Sequence, residues 1–166
     1  MSEEELHGLY NHSQMTALVN IAHGEGFGLP LFESAIAGLP VVSVDWGGPL
    51  DFLYAPVKKK GKDKTKSRPH FVRVDYDISP VQEEAVWEGV IIPQAMWTFA
   101  KEGSYKRALR DVLKNHGSHV SRAKKLKKYV VERLSFKNQS KIFADAVWTG
   151  EEESLAADAE FSQVQT

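Results

Sequence analysis

Apolar residues run together in the first half of the chain and recur at helical spacing in its last third. Ala17-Leu18-Val19-Asn20-Ile21-Ala22 and Leu39-Pro40-Val41-Val42-Ser43-Val44 are short apolar runs bounded by turn residues, a pattern that predicts buried strands. Between them a short helical pattern runs to Ala37, with Pro30 suited to its first turn and Gly38 placed to end it. Strand, glycine loop, helix and strand together predict a βαβ unit. Upstream, Leu6, Leu9 and Tyr10 share one face of a helix that Ser2 can cap, with Glu3, Glu4 and Glu5 in its first turn. Trp46-Gly47-Gly48-Pro49 reads as a turn leading into a short helix over 50–54. Phe71 to Tyr76 alternates and predicts a strand, and 86–93 predicts a further extended piece. Tyr105, Ala108, Leu109, Val112 and Leu113 form one helical stripe. Val120, Ala123, Leu126, Val130 and Leu134 form another, after an interruption at Gly117. Ser135 can cap a last helix carrying Phe136, Phe143 and Val147.

The expected fold class is therefore α/β, a Rossmann-like parallel sheet with flanking helices and a helical C-terminal third. With 166 residues, the chain is long enough for one domain with a substantial core, expected over 1–149. Within it, 58–70 reads as a solvated, lysine-rich surface insertion, since Lys58, Lys59, Lys60, Lys62, Lys64 and Lys66 crowd around Gly61. Residues 150–166 read as a disordered acidic tail. Hydrophobic residues at 42% and charged residues at 26% are ordinary globular values. A net charge of -1 gives no general attraction to nucleic acid, and no aromatic residues interleave the lysine run as a stacking platform would require. Without cysteine there is no disulfide framework or thiolate metal site. No apolar run approaches the ~20 residues of a membrane span, and the acidic N-terminus is unlike a signal peptide, so a cytoplasmic location is expected.

The chemistry concentrates in His23-Gly24-Glu25-Gly26-Phe27-Gly28-Leu29 and in Glu33 beyond it. Dense glycines let a backbone approach a ligand closely, and a helix opening near Leu29 directs unpaired N–H groups at the loop, which favours a phosphate. Glu25 and Glu33 suit hydrogen-bond acceptance from vicinal hydroxyls. A phosphate cradle flanked by diol acceptors suggests a nucleotide or a nucleotide sugar. Spacing alone leaves equally open a plain glycine-rich loop with two solvated glutamates. The glycines do not follow G-x-G-x-x-G, and no Gly-Lys-Ser/Thr closes a P-loop.

The segment from Glu25 to Leu53 resembles the donor site of retaining GT-B glycosyltransferases of the family 4-like group. The matching residues are Glu25 to Pro30, Glu33, Gly38-Leu39-Pro40-Val41-Val42 and Gly47-Gly48-Pro49-Leu50-Asp51, with Asp51 where that group usually has Glu. The resemblance implies a hexosyltransferase-type enzyme whose substrate is a nucleotide-diphosphate sugar of unknown base, with no separate cofactor. It implies that Glu33 accepts from the ribose hydroxyls and that Gly26, Phe27, Gly28 and Leu29 line the diphosphate with backbone N–H groups. It further implies that Gly47 and Gly48 approach the donor and that Glu25, the catalytic candidate, contacts the transferred sugar without acting as a nucleophile. His23 can reach a phosphate or a sugar hydroxyl, or be structural. A looser match places Tyr76, Pro80-Val81 and Trp97 in the same family, with Trp87 and Trp97 read as packing anchors.

A full GT-B enzyme has a second, acceptor-binding domain and a further βα unit with a basic pair, and the chain has no room for them. It is thus expected to be one half of a transferase, truncated at its N-terminus and incomplete for activity alone. An acceptor-domain chain or a second copy would complete it. The alternative is a non-catalytic nucleotide- or partner-binding module derived from such a half. His116 and His119 lie close together without further ligands at metal spacing, so no metal is expected.

Overall fold

The structure is a computed structural model that describes residues 2–58 and 65–148. Helix α1 (Glu3–Tyr10) opens with a reciprocal cap. The Glu5 amide donates to Ser2 Oγ at 3.2 Å, and the Ser2 amide donates to Glu5 Oε2 at 2.7 Å. Strand β1 (Leu18–Asn20), helix α2 (Leu29–Ala37) and strand β2 (Val41–Val44) realise the expected βαβ unit. Helix α2 starts at Gly28, in the left-handed region at φ 79, and stops at Gly38 at φ 81. The short helix α3 (Leu50–Leu53) follows the Gly47-Gly48 turn.

β1, β2 and β5 (Val72–Val74) form a parallel sheet in that spatial order. All four residues of the central strand β2 are buried, which is why it reads as a largely apolar run, with Ser43 its one polar member, rather than an alternation. Val42, Val44 and Val74 pack with Ala108 and Val112 of helix α4 (Glu102–Lys114). Val42 and Val74 are fully buried, each worth about 1.5–3 kcal/mol over exposure. The molecule is therefore mixed α/β with a small parallel sheet and flanking helices.

Two antiparallel hairpins were not legible as such. β3 (Tyr54–Lys58) pairs with β4 (Thr65–Pro69), so the segment read as a lysine-rich loop contributes strand on both sides. Residues 59–64 at its centre lie outside the described residues, as does the acidic tail. β6 (Tyr76–Pro80) pairs with β7 (Met96–Ala100). Between these strands, the piece expected to be extended makes one isolated bridge, Trp87 to Ile91, after a single 3-10 turn at Glu83–Ala85.

Helices α5 (His116–Arg133) and α6 (Phe136–Trp148) complete the helical last third, with Gly117 inside the first turn of α5. The chain forms two compact units, 1–130 and 131–166, with the division falling within α5. In the first unit, α5 buries His119, Ala123, Leu126 and Val130 along one face. In the second, Ser135 Oγ accepts from the Asn138 amide at 3.2 Å, the cap expected for α6. Among the described residues, no helix is long and apolar enough to cross a membrane.

Candidate functional site

The glycine loop lies beyond the carboxyl end of β1, and the Gly47-Gly48 turn lies beyond the carboxyl end of β2. In open α/β sheets this edge is where ligands bind. The two segments pack on each other. The Gly48 amide donates to the Glu25 carbonyl at 3.2 Å. A Cβ on Gly48 would fall 1.7 Å from the Gly26 carbonyl oxygen, and one on Gly47 would fall 3.0 Å from the Glu25 carbonyl oxygen. A Cβ on Gly28 would meet Leu31 at 2.7 Å and Pro49 at 2.8 Å. These three glycines thus allow one loop to seat against the other. Gly24 and Gly26, by contrast, face open space, and a Cβ at either would meet nothing within 4 Å.

Both acids are held by neutral donors. Asn20, the last residue of β1, donates through Nδ2 to Glu25 Oε1 at 2.9 Å. Its Oδ1 accepts from the Ala22 amide at 2.8 Å, which fixes the orientation of the amide group. The Tyr10 hydroxyl donates to Glu33 Oε2 at 2.9 Å. Burial, together with the adjacent Glu33 carboxylate, pushes the Tyr10 phenol up to about 12. Neither glutamate takes part in an ion pair among the described residues. Glu33 also faces a cavity of about 270 Å³ between α1 and α2, lined in addition by Leu6, His7, Tyr10 and Ile36.

His23 is anchored to the β6–β7 hairpin. Its Nδ1 donates to the Thr98 carbonyl at 2.7 Å, while its own carbonyl accepts from the Thr98 amide at 3.1 Å and from Thr98 Oγ1 at 2.7 Å. Its ring stacks on Trp97 with centroids 4.9 Å apart and planes 11° apart. With Nδ1 committed as a donor, the neutral ring offers Nε2 as an acceptor. Phe27 packs against Phe32 and Phe52, each at 5.3 Å, and remains about half exposed. Leu29 is exposed at the opening of α2, which has no side-chain cap.

The structure therefore brings His23, Glu25, Gly26, Phe27, Gly28 and Leu29 together with Gly47 and Gly48 in one loop cluster, with Glu33 one turn along α2 toward α1. Asp51 sits in the first turn of α3. Sequence reasoning missed Asn20 and Thr98 as anchors and placed Tyr10 on the apolar face of the first helix without a polar role. A polar residue closing an apolar strand was the available signal for Asn20. Thr98 lay in a strand that was itself missed. A second cluster also went unseen: Asp45 follows β2 and accepts from the Tyr54 hydroxyl at 2.9 Å and from Arg73 Nη1 at 3.3 Å. Burial and Asp45 raise the Tyr54 phenol above its ordinary range, and Arg73 offsets part of that rise. The two histidines of the last third act separately, His116 Nε2 donating to the Thr16 carbonyl at 3.2 Å and His119 Nε2 to Asp111 Oδ2 at 2.9 Å. No protein-family model, no curated protein and no solved structure matches the chain.

Proposed function

We propose that the chain is the donor-binding half of a retaining GT-B glycosyltransferase that uses a nucleotide sugar. The observation that carries this reading is a pair of carboxylates, Glu25 beyond the carboxyl edge of the sheet and Glu33 one turn into α2, each fixed by one neutral donor. Tyr10 occupies one oxygen of Glu33 and Asn20 one oxygen of Glu25, and each acid keeps an oxygen to accept from a hydroxyl. In this reading Glu33 binds the ribose diol, with the apolar floor of the α1–α2 cavity beside it. The uncapped opening of α2 receives the diphosphate on backbone N–H groups.

Glu25 orients the transferred sugar. The bond from the anomeric carbon to the diphosphate breaks as the acceptor oxygen bonds on the same face, and the acceptor proton passes to a departing phosphate oxygen. The protein's part is positioning and stabilisation of phosphate charge.

Calorimetric titration with UDP, GDP and ADP tests the reading, with Glu33→Ala as the control. Saturable binding of one nucleotide that the variant loses is the expected outcome and identifies the base. An unchanged affinity in Glu33→Ala would overturn the ribose assignment. A nucleotide that binds at the loop without any sugar transfer, even when an acceptor domain is supplied, would make the chain a non-catalytic module.

A further inference from the structure

A second concave site lies on the first unit, built from elements that contribute nothing to the glycine-loop cluster. It is a cavity of about 420 Å³ between the β3–β4 hairpin and α5, lined by Arg68, His70, Ser118, Ser121, Arg122 and Lys125, with Val57 and Pro69 at the hairpin side. Every titratable side chain in that lining is basic, and the two serines add hydroxyl donors. The α5 residues follow the spacing i, i+3, i+4, i+7, so a single helix face presents all four. On the hairpin, Lys66 stands directly opposite Val57 and two residues from Arg68, which places it on the same face.

Two features separate this cluster from an ordinary solvated basic surface. Arg68 and Lys125 form no ion pair among the described residues, although acids are plentiful elsewhere in the chain. Arg122 acts on the Asp111 carboxylate, but that group is already engaged by Asn115 and His119. The cations also converge on a cavity rather than a convex face. Behind them, His70 is buried and donates through Nδ1 to the Arg68 carbonyl at 3.0 Å, which ties the strand end to the groove. Like charges gathered in a concavity focus a positive potential there, and a guanidinium beside an ammonium and hydroxyls matches phosphate oxygens.

We propose that this groove binds a small phosphate-bearing ligand carrying at least two negative charges, independently of the glycine loop. Among the described residues no Phe, Tyr or Trp lines the groove, and its one imidazole, His70, is buried, so it offers no exposed platform for stacked bases. Its compact volume suits a phosphate or diphosphate group better than a tracked nucleic acid backbone.

The test is titration of the full chain with inorganic pyrophosphate at moderate salt, followed by amide chemical-shift mapping and repeated at rising salt. The expected result is saturable binding that weakens as salt rises, with shifts centred on Ser118, Ser121, Arg122 and Lys125. The double substitution Arg122→Gln/Lys125→Gln should weaken binding about tenfold or more. Ser121→Asp, an exposed helical position where folding is not at issue, should do the same by charge repulsion. Shifts centred on Gly26 to Leu29 instead would place pyrophosphate at the glycine loop and overturn the proposal, so failure here is separable from failure of the nucleotide-sugar reading. Absence of saturable binding overturns the proposal. So does an affinity that Ser121→Asp leaves intact. A groove that engages single-stranded RNA but not pyrophosphate would also overturn it.

Discussion

The Tyr10 hydroxyl donates to Glu33 Oε2 at 2.9 Å, joining α1 to α2 across 23 residues of sequence. The bond fixes the carboxylate from one side and keeps the phenol protonated. Tyr10→Phe should cost about 0.5–1.5 kcal/mol of stability, read from the urea midpoint. It should also weaken nucleotide binding through a less ordered Glu33. The pH dependence has a definite sign. The phenol's folded value of about 12 lies above its ordinary 10.0, so the folded state holds that proton more tightly. The associated stability is fully present below about pH 10 and is lost as pH rises toward about 12. The difference between wild type and Tyr10→Phe should shrink across that window.

Gly48 and Gly26 should respond very differently to the same substitution. Gly48→Ala drives a methyl to 1.7 Å from a backbone oxygen that cannot move without displacing the loop. It should destabilise by about 1–3 kcal/mol. Gly26→Ala meets nothing within 4 Å and should stay within about 1 kcal/mol of wild type. Paired urea denaturation curves check both. Equal losses would mean that the two loops do not rest on each other.

Asn20→Ala removes the partner of Glu25 Oε1 and of the Ala22 amide together. The expected cost is about 0.5–1.5 kcal/mol, because the Glu25 bond lies at a half-buried site while the exposed Ala22 amide can turn to water. Thermal melting reads the stability term. Nucleotide titration should show affinity for the base and ribose retained, since Glu33 is held separately by Tyr10.

Asp111 gives an acid-side prediction. Hydrogen bonds from Asn115 and His119, with Arg122 nearby, hold its carboxyl below the ordinary 3.8. A depressed carboxylate contributes stability above its unfolded value, and that contribution disappears as pH falls through the folded value. Asp111→Asn should therefore flatten the acid limb of the stability profile below about pH 4. Because the carboxylate is about half exposed, the effect should be small and should decrease with salt. An unaltered acid limb in the variant would contradict this account.

What could be read in advance followed the strength of periodic signals. β2 and α2 were legible because three valines in four residues mark Val41 to Val44 and Gly28 and Gly38 bracket a helix with positive φ at both ends. The β3–β4 hairpin was not, because Thr65 to Arg68 is exposed throughout and a strand polar on both faces has no alternation to detect. β7 was hidden for a different reason. Its tryptophan, Trp97, read as an isolated anchor, while its pairing to β6 spans a long connection and depends on contacts that no local window contains. Glu25 and Glu33 were singled out from the glycine-rich stretch and the family resemblance, but the groups that fix them lie five and 23 residues away in sequence. Such partners are set by tertiary packing, and no short motif encodes them.

The link between His23 and Thr98 has a kinetic consequence. Three hydrogen bonds close a chain segment of 75 residues at the entrance to the glycine loop. That closure must await the arrival of β7, whereas the β1–α2–β2 unit can assemble from neighbours. The loop thus acquires its final shape after the sheet beneath it. Thr98→Ala should accordingly accelerate unfolding while leaving the refolding rate nearly unchanged. A slowed refolding limb would instead place this tether in the folding nucleus.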